Sequence, residues 1–121
     1  MSNNKVIYLV EDDSSIRELV EYLLIEQGYV VHSFGTVNSF KESLPAASPN
    51  LFILDIMLPD GNGIDVSKEL RSSANTQAVP ILLMSADHGK LGKPTPSSVN
   101  AFLAKPFDID ELLQRVQGLT A

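Results

Sequence analysis

Short apolar, β-branched runs alternate along this chain with segments of helical periodicity. Val6–Val10, Val30–Phe34, Leu51–Leu54, Val79–Met84 and Ala101–Ala104 read as five strands. Most are continuous apolar runs rather than strict alternations, as expected of parallel strands covered on both faces. Between the first two, Ile16, Leu19, Val20, Leu23 and Leu24 fall at i, i+3, i+4, i+7 and i+8 and form one apolar stripe. Ser15 with Glu18 offers a capping box at the start of that helix, and Gly28 a stop. Val37, Phe40 and Leu44 predict a short second helix ended by Pro45, and a third is expected from Ile64 to Ser73. Ile109, Leu112, Leu113 and Val116 stripe a last helix, opened by Asp108 with Glu111.

A further helix is due between the fourth and fifth strands, but His88 to Asn100 carries Gly89, Gly92, Pro94, Pro96, Ser97 and Ser98. Pro costs a helix interior about 3 kcal/mol and Gly about 1 kcal/mol relative to Ala. This connection is therefore expected to be loop, or at most one turn of helix. The whole pattern predicts an α/β domain in which crossover helices join parallel strands.

Composition narrows the function classes. A chain of 121 residues suits one compact domain, expected over 1–121, with neither repeat nor linker to divide it. Nine Lys and Arg against fifteen Asp and Glu give a formal charge of −6. That charge repels phosphate backbones and anionic lipid, so no nucleic-acid contact and no membrane association are expected, and the partner surface is expected to be protein. The absence of cysteine excludes disulfides, thiol nucleophiles and Cys-based zinc sites, and His32 and His88 show no ligand spacing. Apolar stretches such as Val6 to Val10 and Ile81 to Met84 are far short of a membrane span, and a cytoplasmic location is the expectation.

The candidate chemistry lies in where the polar residues stand. Glu11 and Asp12 directly follow the first strand, Asp55 the third, Ser85 the fourth and Lys105 the fifth. In an open parallel sheet such residues emerge together at the carboxyl edge, where ligands bind. Three carboxylates gathered there raise one another's pKa and call for a cation. Lys105 answers one charge as a point contact, whereas a hard divalent ion takes several oxygens. An all-oxygen site with few protein ligands favours Mg²⁺ over Ca²⁺. A carboxylate beside Mg²⁺, a lysine and a hydroxyl suits phosphoryl transfer, in which Asp attacks phosphorus and becomes an acyl phosphate.

Four segments carry a family likeness: V-E-D-D at Val10 to Asp13, L-D-I-M-L-P-D-G-N-G at Leu54 to Gly63, M-S-A at Met84 to Ala86, and F-L-A-K-P-F at Phe102 to Phe107. With these, in this order, the chain resembles over nearly its whole length the receiver domain of two-component response regulators. It is similar to single-domain chemotaxis regulators and to the amino-terminal halves of many bacterial transcription factors. The resemblance implies a flavodoxin-like (βα)5 fold, a five-stranded parallel sheet in the order 2-1-3-4-5, here with the fourth helix shortened or replaced by loop. It implies Asp55 as phosphoacceptor, and Mg²⁺ held by Asp12, Asp55 and the backbone carbonyl of Met57, with Glu11 acting through water. Ser85 would hydrogen-bond a phosphoryl oxygen, Lys105 would pair with the phosphate, and Pro106 would follow a cis peptide bond. Phe102 would be the aromatic switch that turns inward with Ser85, and Pro59, Gly61 and Gly63 would shape the loop after Asp55. The implied partners are a sensor histidine kinase or histidine phosphotransfer protein on one side and a downstream protein target or output domain on the other. Such a receiver is a switch that catalyses only its own phosphorylation and dephosphorylation, not a turnover enzyme.

Taken singly, several of these residues have plainer readings. Asp13 suits a helix cap, Asp60 and Asp65 suit a turn and a helix start, and Phe102 suits the core. A phosphorylation-independent pseudo-receiver, acting as a protein-interaction module, shares the fold, though the complete set of Glu11, Asp12, Asp55, Ser85 and Lys105 argues against it. A small phosphohydrolase built on Asp55 would want a second Asp two positions later, where Met57 stands. A flavin carrier would need a phosphate loop where Glu11, Asp12 and Asp13 repel phosphate. Ser85 stands where most receivers have Thr and keeps the hydroxyl. Met57 and Asp87 occupy the positions where the family tunes phosphoryl lifetime. In the family the fourth helix, fifth strand and fifth helix form the usual output face, and the short, Pro-Gly-rich fourth connection here makes dimerisation through it less expected.

Overall fold

The computed structural model describes residues 4–44, 49–86 and 97–121. Five parallel strands, β1 (Val6–Val10), β2 (Val30–Phe34), β3 (Leu51–Asp55), β6 (Ile81–Ser85) and β7 (Ala101–Ala104), form one sheet in the order β2-β1-β3-β6-β7. Counting these five alone, the order is 2-1-3-4-5, the flavodoxin-like arrangement. A two-stranded antiparallel hairpin, β4 (Met57–Leu58) with β5 (Gly61–Asn62), leaves the sheet after β3; its strands are too short for periodicity to reveal. The described helices are α1 (Ser14–Glu26), α2 (Val37–Glu42), α3 (Gly63–Ser72) and α4 (Ile109–Thr120).

Alternate strand residues feed two cores. Ile7, Leu9, Leu51, Ile53, Leu82, Met84 and Leu103 pack on one face with Val20 and Leu24 of α1 and Leu112 and Val116 of α4. Tyr8, Val10, Phe52, Leu54, Ile81 and Leu83 pack on the other with Val37 and Phe40 of α2 and Val66 and Leu70 of α3. Two-sided burial is why β3 and β6 read as unbroken apolar runs. β2, at an edge, is only partly covered, and Val30 and His32 lie exposed.

Helix ends differ from the sequence expectation in instructive ways. α1 is capped by Asp13, whose Oδ1 accepts from Ser15 N (2.9 Å) and Ile16 N (3.2 Å). Ser15 is therefore inside the helix, and the Ser15–Glu18 capping box does not form: Asp13, which suits a cap from the sequence, stands two residues closer to the strand end and takes the role first. Gly28 does stop α1, with φ 95°. Its N–H donates to Ile25 O and that of Tyr29 to Leu24 O, the paired bonds of a Schellman turn. Asp108 occupies the N-cap of α4 without a side-chain cap bond, so the expected box with Glu111 is absent too. Leu19 and Ile109, counted in the apolar stripes, lie 44% and 43% exposed. The fourth strand begins at Ile81 rather than Val79, and the third extends to Asp55. Pro45 and the segment from Asp87 to Pro96, which holds most of the expected loop, lie outside the described residues; Ser97 to Asn100 form no helix.

The amino ends of the strands are fastened by a repeated device. Val6 N donates to Asn50 Oδ1 (2.8 Å) while Asn50 N donates to Val6 O (2.8 Å). Ile81 N donates to Asn100 Oδ1 (2.8 Å) while Asn100 N donates to Ile81 O (2.9 Å). In each case an Asn just before one strand brackets the first residue of its neighbour.

Candidate functional site

At the opposite, carboxyl edge, backbone pairing continues past the strands and carries the polar residues with it. Glu11 N donates to Phe34 O (2.9 Å), Ile56 N to Met84 O (3.0 Å) and Lys105 N to Ser85 O (2.8 Å). Glu11, Asp55, Ser85 and Lys105 are thus held on the sheet's own ladder, which sets their positions before any side-chain bond forms. Glu11 is 0%, Ser85 2% and Asp55 6% exposed, while Asp12 is exposed. These residues, with Asp13, Ile16, Met57 and Ala86, line a depression of 340 Å³. A groove of similar size between α2 and α3, around Phe40, Leu44, Val66 and Leu70, lacks any such convergence of ionisable groups.

The charges are tightly coupled. One carboxylate oxygen each of Glu11, Asp12 and Asp55 lies within 4.8 Å of the others. At that separation each ionised pair repels by roughly 3 kcal/mol at an effective dielectric of about 20. Lys105 Nζ donates to Glu11 Oε1 and to Asp55 Oδ2 (3.0 Å), so the lysine answers two carboxylates rather than the single one expected of it. Burial opposes its charge, but the bonds to Glu11 and Asp55 outweigh this and hold its pKa above the ordinary lysine value. Burial pushes the Glu11 carboxyl up to about 7, against the lowering effect of Lys105 and of the Asp13 N–H that donates to Glu11 Oε2 (3.1 Å). Among the described residues one ammonium faces these three carboxylates, so the cluster has oxygen donors and negative charge to spare. That is the donor set a hard divalent cation takes.

Of the residues the resemblance assigns to the site, Glu11, Asp12, Asp55, Met57, Ser85 and Lys105 line this depression, and Pro59, Gly61 and Gly63 stand in the loop after Asp55 or at its end. Phe102 is half-buried against the α2/α3 core, at the register of Leu83. The Lys105–Pro106 peptide bond is cis. Gly63 starts α3 so close to β3 that any Cβ there would overlap the Asp55 carbonyl oxygen, which is the physical reason for glycine. Asp87 and His88 lie outside the described residues.

Sequence reasoning missed two contacts. Arg17, on α1, donates from Nη1 to Glu11 O (2.7 Å) and fixes the backbone between the acidic pair and the helix. Asp60, read as a turn residue, does sit in the hairpin turn. Its carboxylate also accepts from Val37 N (2.8 Å) and Asn38 N (2.9 Å) at the start of α2. The first is local but has no characteristic spacing, and the second joins elements 23 residues apart that only the fold brings together.

Known proteins resemble this chain in sequence and fold. The transcriptional regulatory protein GltR of Pseudomonas aeruginosa is 34% identical over 120 residues, covering 98% of this chain and 50% of GltR. The chain spans about half the length of the curated relatives it matches. Among solved structures, response regulator protein TrrA of Thermotoga maritima, in complex with Mg²⁺-BeF, superposes with a TM-score of 0.85 at 28% identity over 95% of this chain and 98% of that one. The receiver domain of a sensor histidine kinase from Pseudomonas aeruginosa, with a magnesium ion coordinated in its active site cleft, gives 0.85 at 26% identity over 97% and 98%. The sequence model of the response regulator receiver domain matches residues 7–117, nearly the full span of the sheet and its helices, and the chain belongs to that family.

Proposed function

We propose that this chain is a phosphoacceptor switch in which Asp55 takes a phosphoryl group from a phosphohistidine. The observation that carries the reading is the meeting of Glu11, Asp12 and Asp55 within 4.8 Å, with Lys105 bonded to two of them, in a chain of the receiver family. The surplus of carboxylate oxygen fits Mg²⁺, and the neighbours TrrA and the histidine-kinase receiver carry that ion. Asp12, Asp55 and the Met57 backbone carbonyl would hold it, with Glu11 acting through water. Once bound, Mg²⁺ supplies positive charge for the phosphoryl oxygens.

The chain's own residues do the rest. An Asp55 carboxylate oxygen attacks phosphorus, a P–O bond forms, the P–N bond to the donor breaks, and the imidazole leaves with the bonding pair. Lys105, now bonded to Glu11 and Asp55, turns its ammonium to a phosphoryl oxygen, and the Ser85 hydroxyl donates to another. In a separate step water attacks phosphorus, the P–O bond to Asp55 breaks, the carboxylate leaves with the bonding pair and inorganic phosphate departs, so the chain catalyses only its own phosphorylation and dephosphorylation. Ser85 and Phe102 form the switch. The phosphoryl group changes the balance of two pre-existing states by binding one of them better. The donor is a sensor histidine kinase or histidine phosphotransfer protein. The readout is a downstream protein target or an output domain, as the name and double length of GltR suggest by analogy. Residues 1–121 act as one receiver unit, and the cytoplasm is where it meets its kinase; among the described residues no helix is long and apolar enough to cross a membrane.

The test is intact mass after incubation with phosphoramidate or acetyl phosphate, with and without Mg²⁺, for the chain and for Asp55→Asn. A labile, Mg²⁺-dependent phosphoryl adduct absent from Asp55→Asn is expected. No adduct, or one that persists in the variant, would overturn the assignment and leave the phosphorylation-independent module as the better reading.

A further inference from the structure

We infer that Asp60 is a positioning residue for the phosphorylation site, clamping the β4–β5 hairpin to α2 so that Met57 is held beside the carboxylates. The inference rests on the phosphoacceptor reading, in which the Met57 carbonyl is a ligand to Mg²⁺.

The hairpin contributes Met57 to the site's lining without a place in the main sheet. Its two pairs, Met57 with Asn62 and Leu58 with Gly61, are too few to be stable alone. Two anchors compensate. At the base, Gly63 N donates to Ile56 O (2.8 Å), and the absence of a Cβ on Gly63 lets α3 start against the Asp55 peptide. At the tip, both Asp60 carboxylate oxygens accept helix N–H groups, from Val37 (2.8 Å) and Asn38 (2.9 Å). The neighbouring Gly61 sits so close that a Cβ there would stand 2.9 Å from Val37 Cγ2.

The tip anchor is well matched to what it binds. The first N–H groups of a helix have no partner within it. In α2, Thr36 Oγ1 accepts from Ser39 N (3.1 Å), and Asp60 takes the two N–H groups that Thr36 does not reach. A carboxylate at a helix start is also favoured by the backbone dipoles. These backbone bonds hold the Asp60 carboxyl below the ordinary aspartate value. Because Val37 and Phe40 are buried in the core, the clamp transmits the core's rigidity to a hairpin whose own Met57 is 65% exposed. Asp60 is itself exposed, so its replacement leaves the core packing in place.

The experiment compares the full chain with Asp60→Ala, Asp60→Asn and Thr36→Ala. It measures the Mg²⁺ dissociation constant by calorimetry, amide hydrogen exchange at Val37, Asn38 and residues 57 to 62, and thermal unfolding. Asp60→Ala is expected to weaken Mg²⁺ binding about tenfold, the low end for residues that orient metal ligands. It should also speed exchange in the hairpin, and Asp60→Asn, which keeps one acceptor oxygen, should fall between. Thr36→Ala loosens α2 without releasing the hairpin and should leave Mg²⁺ affinity unchanged. Unaltered Mg²⁺ affinity in Asp60→Ala, or an equal loss in Thr36→Ala, overturns the positioning role while the phosphoacceptor reading stands. Failure of the unaltered chain to bind Mg²⁺ or accept phosphoryl overturns both.

Discussion

The two ends of the same five strands are built on opposite principles. At the amino edge, polar groups are matched in pairs: Asn50 and Asn100 bracket Val6 and Ile81, Tyr29 Oη meets Thr120 Oγ1 at 3.0 Å, and Lys5 donates to the Thr120 carbonyl. Arg71 there donates to Gln77 O, Val79 O and Asn100 Oδ1 and so ties α3 to the start of β6 and β7. At the carboxyl edge, three carboxylates share one lysine, and a buried glutamate is held where it is reluctant to ionise. The amino edge is arranged for stability. The carboxyl edge keeps an electrostatic repulsion that a bound cation, or a proton on Glu11, relieves, and the sheet carries that cost on the packing of its two cores.

The contrast can be broken most severely from within the sheet. Phe52 lies in the amino half of β3, fully buried, with ring centroids 5.6 Å from Phe40 and 6.2 Å from Tyr8 in edge-to-face arrangements. Phe52→Ala is expected to cost about 3–5 kcal/mol in urea unfolding, yet to leave Asp55 phosphorylation intact at temperatures where the variant is folded.

A second effect comes from the carboxyl edge alone. The Glu11 carboxyl, pushed up to about 7 from 4.5, binds its proton more tightly in the folded chain than in the unfolded one. Metal-free stability should therefore fall as pH rises from 4.5 through 7, by on the order of 3 kcal/mol. Lys105 has the opposite origin: its raised pKa contributes stability that is complete below the ordinary lysine value and is lost only above it, so it does not mask the Glu11 effect. Urea titrations of the chain and of Glu11→Gln across this range check the sign. An unchanged slope in the variant would remove Glu11 as the source.

Asn100→Ala sharpens the comparison from the other side. It leaves the Ile81 N–H and an Arg71 guanidinium without their shared acceptor, at an expected cost of about 1–2 kcal/mol. That loss should be the same at either end of the pH range, and the phosphoryl adduct should still form. The smallest effect belongs to neither edge: Lys41 and Glu69 pair at 2.8 Å between α2 and α3, but with side chains 46% and 58% exposed. Lys41→Ala should change stability by no more than about 0.5 kcal/mol.

Much of this was legible along the chain. All five parallel strands could be placed within two residues, because two-sided burial writes itself as apolar runs, and the residues directly after those runs are the ones that meet. What pattern reading got wrong concerns ends and contacts. The capping boxes at Ser15 and Asp108 satisfy a local rule, yet the cap of α1 is Asp13, as that residue's own reading had it, and Asp108 makes no side-chain cap bond. Leu19 and Ile109 obey the helical stripe but fall at its margin, where no strand faces them.

The sequence by itself determined the alternation of elements, the two-faced core and the type of chemistry, since these follow from which residue types repeat and which follow each strand. Only the tertiary structure decided how the charges are shared. Lys105 is 94 residues from Glu11 and 50 from Asp55, and Asp60 is 23 from Val37. Electrostatic and hydrogen-bond energies depend on distance in space and on local burial, and neither is a property of position along the chain.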